Sequence, residues 1–281
     1  MPKFDADDYL TVEAYEEALG AFHTIAGFLL FEFAREKQNV RDTIIRNFIA
    51  RADMMARAVF RLWELQDYQD CWVLHRCLLD RLFHLWHLQQ NDEFVVFEAW
   101  SFLEQYNAVN RVRSDPEFSG ALKSKFFSPT PEQKKRASEL TKTPTAWQRP
   151  KAEDAAKGMD MSFLYRFGYD FASTYVHPMA NDGQQDFYTI TKLEPAPDFP
   201  DHHAVLSNTL LVCTMLVRQG LNASTLSWHA LVHDLLDDLM LFLKTGTQDY
   251  KISLGKLSVM VEQRMRLCQP PANRDGEKGA V

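Results

Sequence analysis

Glycine is scarce in this chain: 11 of 281 residues, where average usage would give roughly 20. An open sheet with many tight turns, or a glycine-rich nucleotide fold, would need more. Proline is missing from long stretches. None lies between Pro2 and Pro116, and none between residues 201 and 269. Helix interiors exclude proline, so both gaps predict helices. Cysteine is sparse too. Cys71, Cys77, Cys213 and Cys268 form no C-x-x-C pair, which leaves zinc-ribbon and thioredoxin readings without support. The first three sit in apolar surroundings and read as buried thiols of an intracellular protein. Positive charge is outweighed, 31 Lys and Arg against 38 Asp and Glu, for a net charge of −7. That argues against the broad basic face of a duplex DNA binder. The middle of the chain is locally basic, from Arg111 to Arg149, and reads as a solvated helix face plus loop. No long apolar run stands out. The stretches 21–34 and 204–217 are shorter than the roughly 20 residues a spanning helix needs. The start, MPKFDADDYL, is acidic and lacks the apolar region of a signal peptide. A cytoplasmic protein with no membrane partner is expected.

Apolar residues make up 46% of the chain and aromatics 12%, enough for a real core. The reading is all-α: a single domain over 1–268, a bundle of about seven or eight helices with an irregular, proline-rich middle, and a disordered tail over 269–281. Helices are expected at about 11–37, 41–65, 69–90, 93–113, 160–177, 201–219, 223–244 and 254–267. The third, apolar almost all round, should be central and buried. Thr130-Pro131-Glu132-Gln133 has the order of a capped helix start. Residues 143–150 read as loop, and 187–193 (FYTITKL) alternate enough for a short strand or extended arm. Gly220 and Gly246 are placed as helix stops. Gly20, Gly27 and Gly168 fall inside helices and mark close packing.

Polar residues on these apolar helices carry the functional interest. On the third helix Arg76, Asp80, His84 and His87 project within roughly 80° of one another. On the helix before Pro178, Tyr165, Tyr169, Ser173 and His177 recur every fourth residue. A buried Arg–Asp pair must satisfy many donors and acceptors. The pair therefore either lines a site or ties helices together. Ser173 with His177 could hydrogen-bond, but a hydrolase also needs an orienting acid and an oxyanion hole. His229 and His233 share a helix face, the spacing of helical zinc sites, without the Glu of H-E-x-x-H. Asp201-His202-His203 opens a helix, where Asp201 is more simply an N-cap. No cofactor or metal site is assigned.

The R-x-x-x-D of Arg76 and Asp80, followed by the Y-x-x-x-Y-x-x-x-S-x-x-x-H-P of Tyr165 to Pro178, resembles the bacterial helical proteins catalogued as domain of unknown function 5677. The resemblance covers about residues 20–245. It implies an all-helical fold and a site built from Arg76, Asp80, Tyr165, Ser173 and His177, and it implies no activity. Asp80 stands where that family more often has Glu. Arg81-LFHLW-His87 is similar to the R-x(4–6)-H motif of HEPN ribonucleases, although the Arg lies on an early helix and is followed by Leu82. His203 with His233-Asp234 is similar to the helical HD phosphohydrolases, without their usual continuation.

Three functions follow as expectations. The first is a binding or interaction module for a small anionic ligand or partner, with His177, Ser173, Arg76 and Asp80 as the candidate catalytic groups and Tyr165, Tyr169, His84 and His87 as binding groups. The second is a metal-independent ribonuclease acting on RNA, in a defence or toxin role. The third is a metal-dependent hydrolase using His84, His87, His177, His229 and His233. A homodimer fits the broad apolar faces.

Overall fold

A computed structural model describes residues 10–36, 39–118, 128–142, 147–193, 202–227 and 229–268. The expected disorder of 269–281 and the capping role of Asp201 lie outside these residues. The described residues contain eleven α-helices and no strand. They are α1 (Val12–Arg35), α2 (Val40–Glu64), α3 (Tyr68–Asn91), α4 (Phe94–Ser114), α5 (Pro131–Lys142), α6 (Ala152–Gly158), α7 (Phe171–Ser173), α8 (Gln184–Thr191), α9 (Ala204–Ala223), α10 (His229–Thr245) and α11 (Tyr250–Cys268). The three beyond the eight expected ranges are α5, whose start is read at Thr130, and the short α6 and α8, all in the proline-rich middle.

The starts follow local chemistry. Thr11, Asn39 and Asp67 cap α1, α2 and α3 by accepting from Ala14, Asp42 and Asp70 backbone N–H groups. Each satisfies a donor that the first helical turn leaves open. At α5 the expected capping box forms in both directions. Thr130 Oγ1 accepts from the Gln133 N–H at 3.2 Å, and Gln133 Oε1 accepts from the Thr130 N–H at 2.9 Å.

Helix α3 lies between α2 and α9, with α1 across α2 and α9, and α10 and α11 beyond α9. One hydrophobic cluster runs from Tyr15 on α1 to Leu257 on α11. The other flank of α3 is covered by α6, α7 and the segment between them, which places the Tyr165–Ser173 ladder against Arg76. Helices α1 and α9 are long and apolar enough to cross a bilayer by length and composition. In this fold their apolar faces pack on α2 and α3 and on one another.

Four expectations need correction. Residues 187–193 are not a strand. Gly183 at φ 71° starts α8 and Lys192 at φ 56° ends it, because Phe187 and Ile190 also fit a helical period and seven residues cannot separate the two patterns. Gly220 does not stop α9. It sits inside the helix, where an added Cβ would come within 3.0 Å of Ile45 Cγ2, so it allows α9 to approach α2. Gly20 and Gly27 face open space and mark no packing. Cys71 and Cys213 are buried but Cys77 is only half-buried. Burial pushes the Cys71 thiol up to about 12. Gly246, at φ 74°, ends α10 as expected, and a Cβ added to Gly168 would come within 3.1 Å of Leu79 Cδ1, so this glycine marks close packing as expected.

Candidate functional site

The expected helix over 160–177 is broken into three parts. Residues Leu164–Asp170 form a π-helical segment, α7 adds one short turn, and Thr174, Tyr175 and Val176 close tighter turns on Phe171, Ala172 and Ser173. A π turn closes i→i+5 and is wider than an α turn. Residues four apart therefore stay more nearly in line than on an α-helix, and Tyr165, Tyr169 and Ser173 share one side. The tighter turns that follow break this register, and His177 emerges exposed beyond the helix.

Arg76 donates from all three guanidinium nitrogens, two of them to that ladder. Nε donates to Ser173 Oγ at 2.9 Å, Nη1 to Asp80 Oδ2 at 3.0 Å and Nη2 to Tyr169 OH at 2.7 Å. The guanidinium carbon also lies 4.5 Å from the Tyr169 ring centroid. Ser173 Oγ donates onward to the Tyr169 carbonyl at 2.7 Å, and Tyr165 stacks on Tyr169. Burial first, then the Asp80 charge, raises the Tyr169 phenol pKa, so it stays a neutral hydrogen-bonding group. The Arg76 and Asp80 side chains are 22% and 25% exposed. The structure thus joins Arg76, Asp80, Tyr169 and Ser173, with Tyr165 stacked behind. Ser173 has its proton on a carbonyl and, among the described residues, no base touching it. This cluster fixes the π segment to α3 and has no activated nucleophile.

His84 and His87 leave this cluster in different directions. His87 Nε2 pairs with Glu93 at 3.2 Å across the α3–α4 turn. His84 Nδ1 bonds the Asp80 carbonyl. Its ring tilts against Trp147 at 5.8 Å. Burial first of all lowers the His84 pKa, with Arg149 and His87 adding to the effect. Arg81 Nη1 donates to the Cys77 carbonyl at 2.6 Å. The arginine and histidine of the R-x(4–6)-H motif therefore serve separate partners. His229 has no described side chain. No three His, Cys, Asp or Glu side chains among the described residues could hold a metal ion.

Beside Asp80 lies a groove of about 250 Å³ lined by Phe48, Asp80, Arg81, His84, Phe97, Trp100 and Arg149. Trp147 supports it from below, 4.6 Å from Trp100 and 4.8 Å from Phe97. Trp147 is buried, and its indole N–H has no hydrogen-bond partner among the described residues. Arg149 is exposed, and among the described residues it makes no hydrogen bond or ion pair. Sequence reading missed Phe48, Phe97, Trp100, Trp147 and Arg149. The last two sit in the TPTAWQRP stretch read as plain loop, where an aromatic and an arginine between prolines were the available signal.

It also missed His75, which is fully buried on α3 and 3.3 Å from Thr209 Oγ1. Burial pulls its imidazole pKa down to about 4, so it is a neutral core group.

A search of curated proteins and of solved structures gives no match. The sequence profile of one family matches residues 42–188, from the start of α2 to α8, which includes the Arg76 cluster and the aromatic groove. The chain belongs to the Family of unknown function (DUF5677).

Proposed function

We propose that this protein is a binding module for a small anionic ligand, held in the groove beside the Arg76 cluster. The supporting observation is the contrast between two arginines. Arg76 already donates from every guanidinium nitrogen to Ser173, Asp80 and Tyr169. Arg149 stands at the groove with no protein hydrogen bond or ion pair among the described residues. A guanidinium without a partner beside an apolar floor is a ready site for a carboxylate or phosphate. Arg81 adds a second cation, and Arg76 offsets the charge of Asp80.

On this reading Arg76, Asp80, Tyr169, Tyr165 and Ser173 are the frame that holds α3, and Arg149, Arg81 and His84 meet the ligand. His177, exposed beyond the ladder, is not part of the proposed contact set. The test uses inorganic phosphate as probe. Phosphate should raise the melting temperature of the wild type, by mass action on the folded state, and should leave Arg149→Ala unmoved. Equal responses of the two proteins would overturn the reading.

A further inference from the structure

The groove's lining carries more information than its charge. We infer that its ligand is a nucleoside phosphate, a flat base carrying a phosphate group; this rests on the anion-binding reading above. Three kinds of group line it. Arg81 and Arg149 supply cations for a phosphate. Phe48, Phe97 and Trp100 supply aromatic surface. His84 supplies an acceptor, and Asp80, held through Oδ2 by Arg76, lines the groove with its carboxylate. The His84 Nδ1 proton is directed at the Asp80 carbonyl, which leaves Nε2 of the neutral ring as an acceptor. A bare inorganic anion would use only the first kind, and an aromatic acid the first two. A nucleobase uses all three, because its ring and exocyclic N–H groups need acceptors while its face stacks on aromatic side chains.

Size narrows the ligand further. About 250 Å³ lies just below the usual range of small-molecule pockets. It covers one base with one phosphate, and the groove is open to solvent at its rim, so the same chemistry comes from a free mononucleotide or from one nucleotide of a strand. The cationic rim extends past the groove. Arg51 is exposed and close enough to Arg81 to lower its pKa, after burial. Arg51 also makes no hydrogen bond or ion pair among the described residues. A protein of net charge −7 that sets two guanidinium groups at an aromatic groove, with Arg51 near one of them, has a local anion preference against its overall field.

The experiment titrates the full chain with inorganic phosphate, adenosine, adenosine 5′-monophosphate and a six-nucleotide single-stranded RNA. The readouts are calorimetry and quenching of the groove tryptophans. Base stacking predicts that the mononucleotide binds roughly ten- to a hundredfold tighter than phosphate. Trp100→Leu should remove that advantage and keep phosphate binding; Phe97→Leu provides the same check if Trp100→Leu unfolds. Tighter binding of the free mononucleotide identifies a metabolite, and binding of the RNA alone identifies a strand. If phosphate binds as tightly as either, the nucleoside inference falls and the anion reading stands. If nothing binds, both fall.

A second inference rests on a different surface. Phe163, Phe167 and Phe171 lie four apart on the outer side of the π segment and α7, and are 68%, 58% and 44% exposed. The Phe163 and Phe167 rings pack with centroids 4.9 Å apart, tilted by 32°. Arg166 and Asp170 are exposed beside this row, and neither makes a hydrogen bond or ion pair among the described residues. Arg166 and Asp170 lie equally far in sequence from residue 168, with opposite charge. An antiparallel twofold crossing at that level sets Arg166 against Asp170 of the partner subunit, twice, around the phenylalanines. The geometry points to a homodimer through this face. Sedimentation should give a dimer for the wild type. Arg166→Asp or Asp170→Arg should each weaken it at least tenfold, and the double variant should restore it. A wild-type monomer at 100 µM, or a double variant no better than the singles, would overturn the proposal.

Discussion

Replacing Arg76 by Met tests whether its cluster is a frame. Methionine keeps most of the side-chain volume and removes the charge and all three hydrogen bonds, to Ser173, Asp80 and Tyr169. Hydrogen bonds to a charged group contribute about 1.5–3 kcal/mol each, and breaking a buried pair by removing one partner costs about 3–5 kcal/mol. Here roughly a quarter of each charged side chain is exposed, so water recovers part of the loss. The expected cost is about 2–4 kcal/mol, or a fall in Tm of roughly 3–7 °C for a chain of this size. Much of it comes from stranding the Asp80 carboxylate. Arg76→Met/Asp80→Leu should therefore recover at least half of the loss, because a buried pair replaced by apolar groups is often nearly neutral. Urea unfolding of the wild type, both single variants and the double variant gives the coupling energy. A loss below about 0.5 kcal/mol for Arg76→Met would show that the cluster does not hold α3 to the π segment, and additive single variants would show that Arg76 and Asp80 are not coupled.

Three further outcomes follow. His75 is neutral in the folded protein, with its pKa near 4 against about 6.5 unfolded. Its contribution is full above pH 6.5 and is lost as pH falls toward 4, about 2–3 kcal/mol between pH 7 and 4.5. His75→Gln should flatten that part of the urea-unfolding profile, and an unchanged slope would count against it. A Cβ on Gly158 would overlap the Trp86 ring. Gly158→Ala should cost about 1–3 kcal/mol, whereas Gly20→Ala, in open space within α1, should stabilise by about 0.5–1 kcal/mol. Thermal melts of the two variants should therefore move in opposite directions. Arg149→Ala, at an exposed residue, should change stability by less than about 0.5 kcal/mol in urea, so any loss of phosphate binding reports contact rather than unfolding.

The sequence makes the helices legible because proline marks what a helix interior excludes, and the long helices carry whole-turn periodicity. The pairing of Arg76 with Asp80 is legible because two charged groups on an apolar helix must find partners. Ser173 and Tyr169 follow from their four-residue spacing. What was not legible depends on tertiary placement. The π segment cannot be read from FLYRFGYDF, because one extra residue in a turn leaves no periodic signature in nine residues. That shift fixes which ladder members reach Arg76 and leaves His177 outside. His75 escaped notice because it lies one residue from Arg76, off the polar stripe and on the buried face. The groove draws on α2, α3, α4 and the loop around Arg149, residues from 48 to 149 with no shared periodicity.

The central claim is that Arg76 is committed to the protein and Arg149 to the ligand. Guanidinium NMR reads both in one titration, with the Nε–H signals assigned by Arg76→Lys and Arg149→Lys variants. On addition of phosphate the Arg149 signal should move, and Arg81 with it, while the Arg76 signal, already bonded to Ser173, stays in place. A moving Arg76 signal beside a static Arg149 would contradict the account.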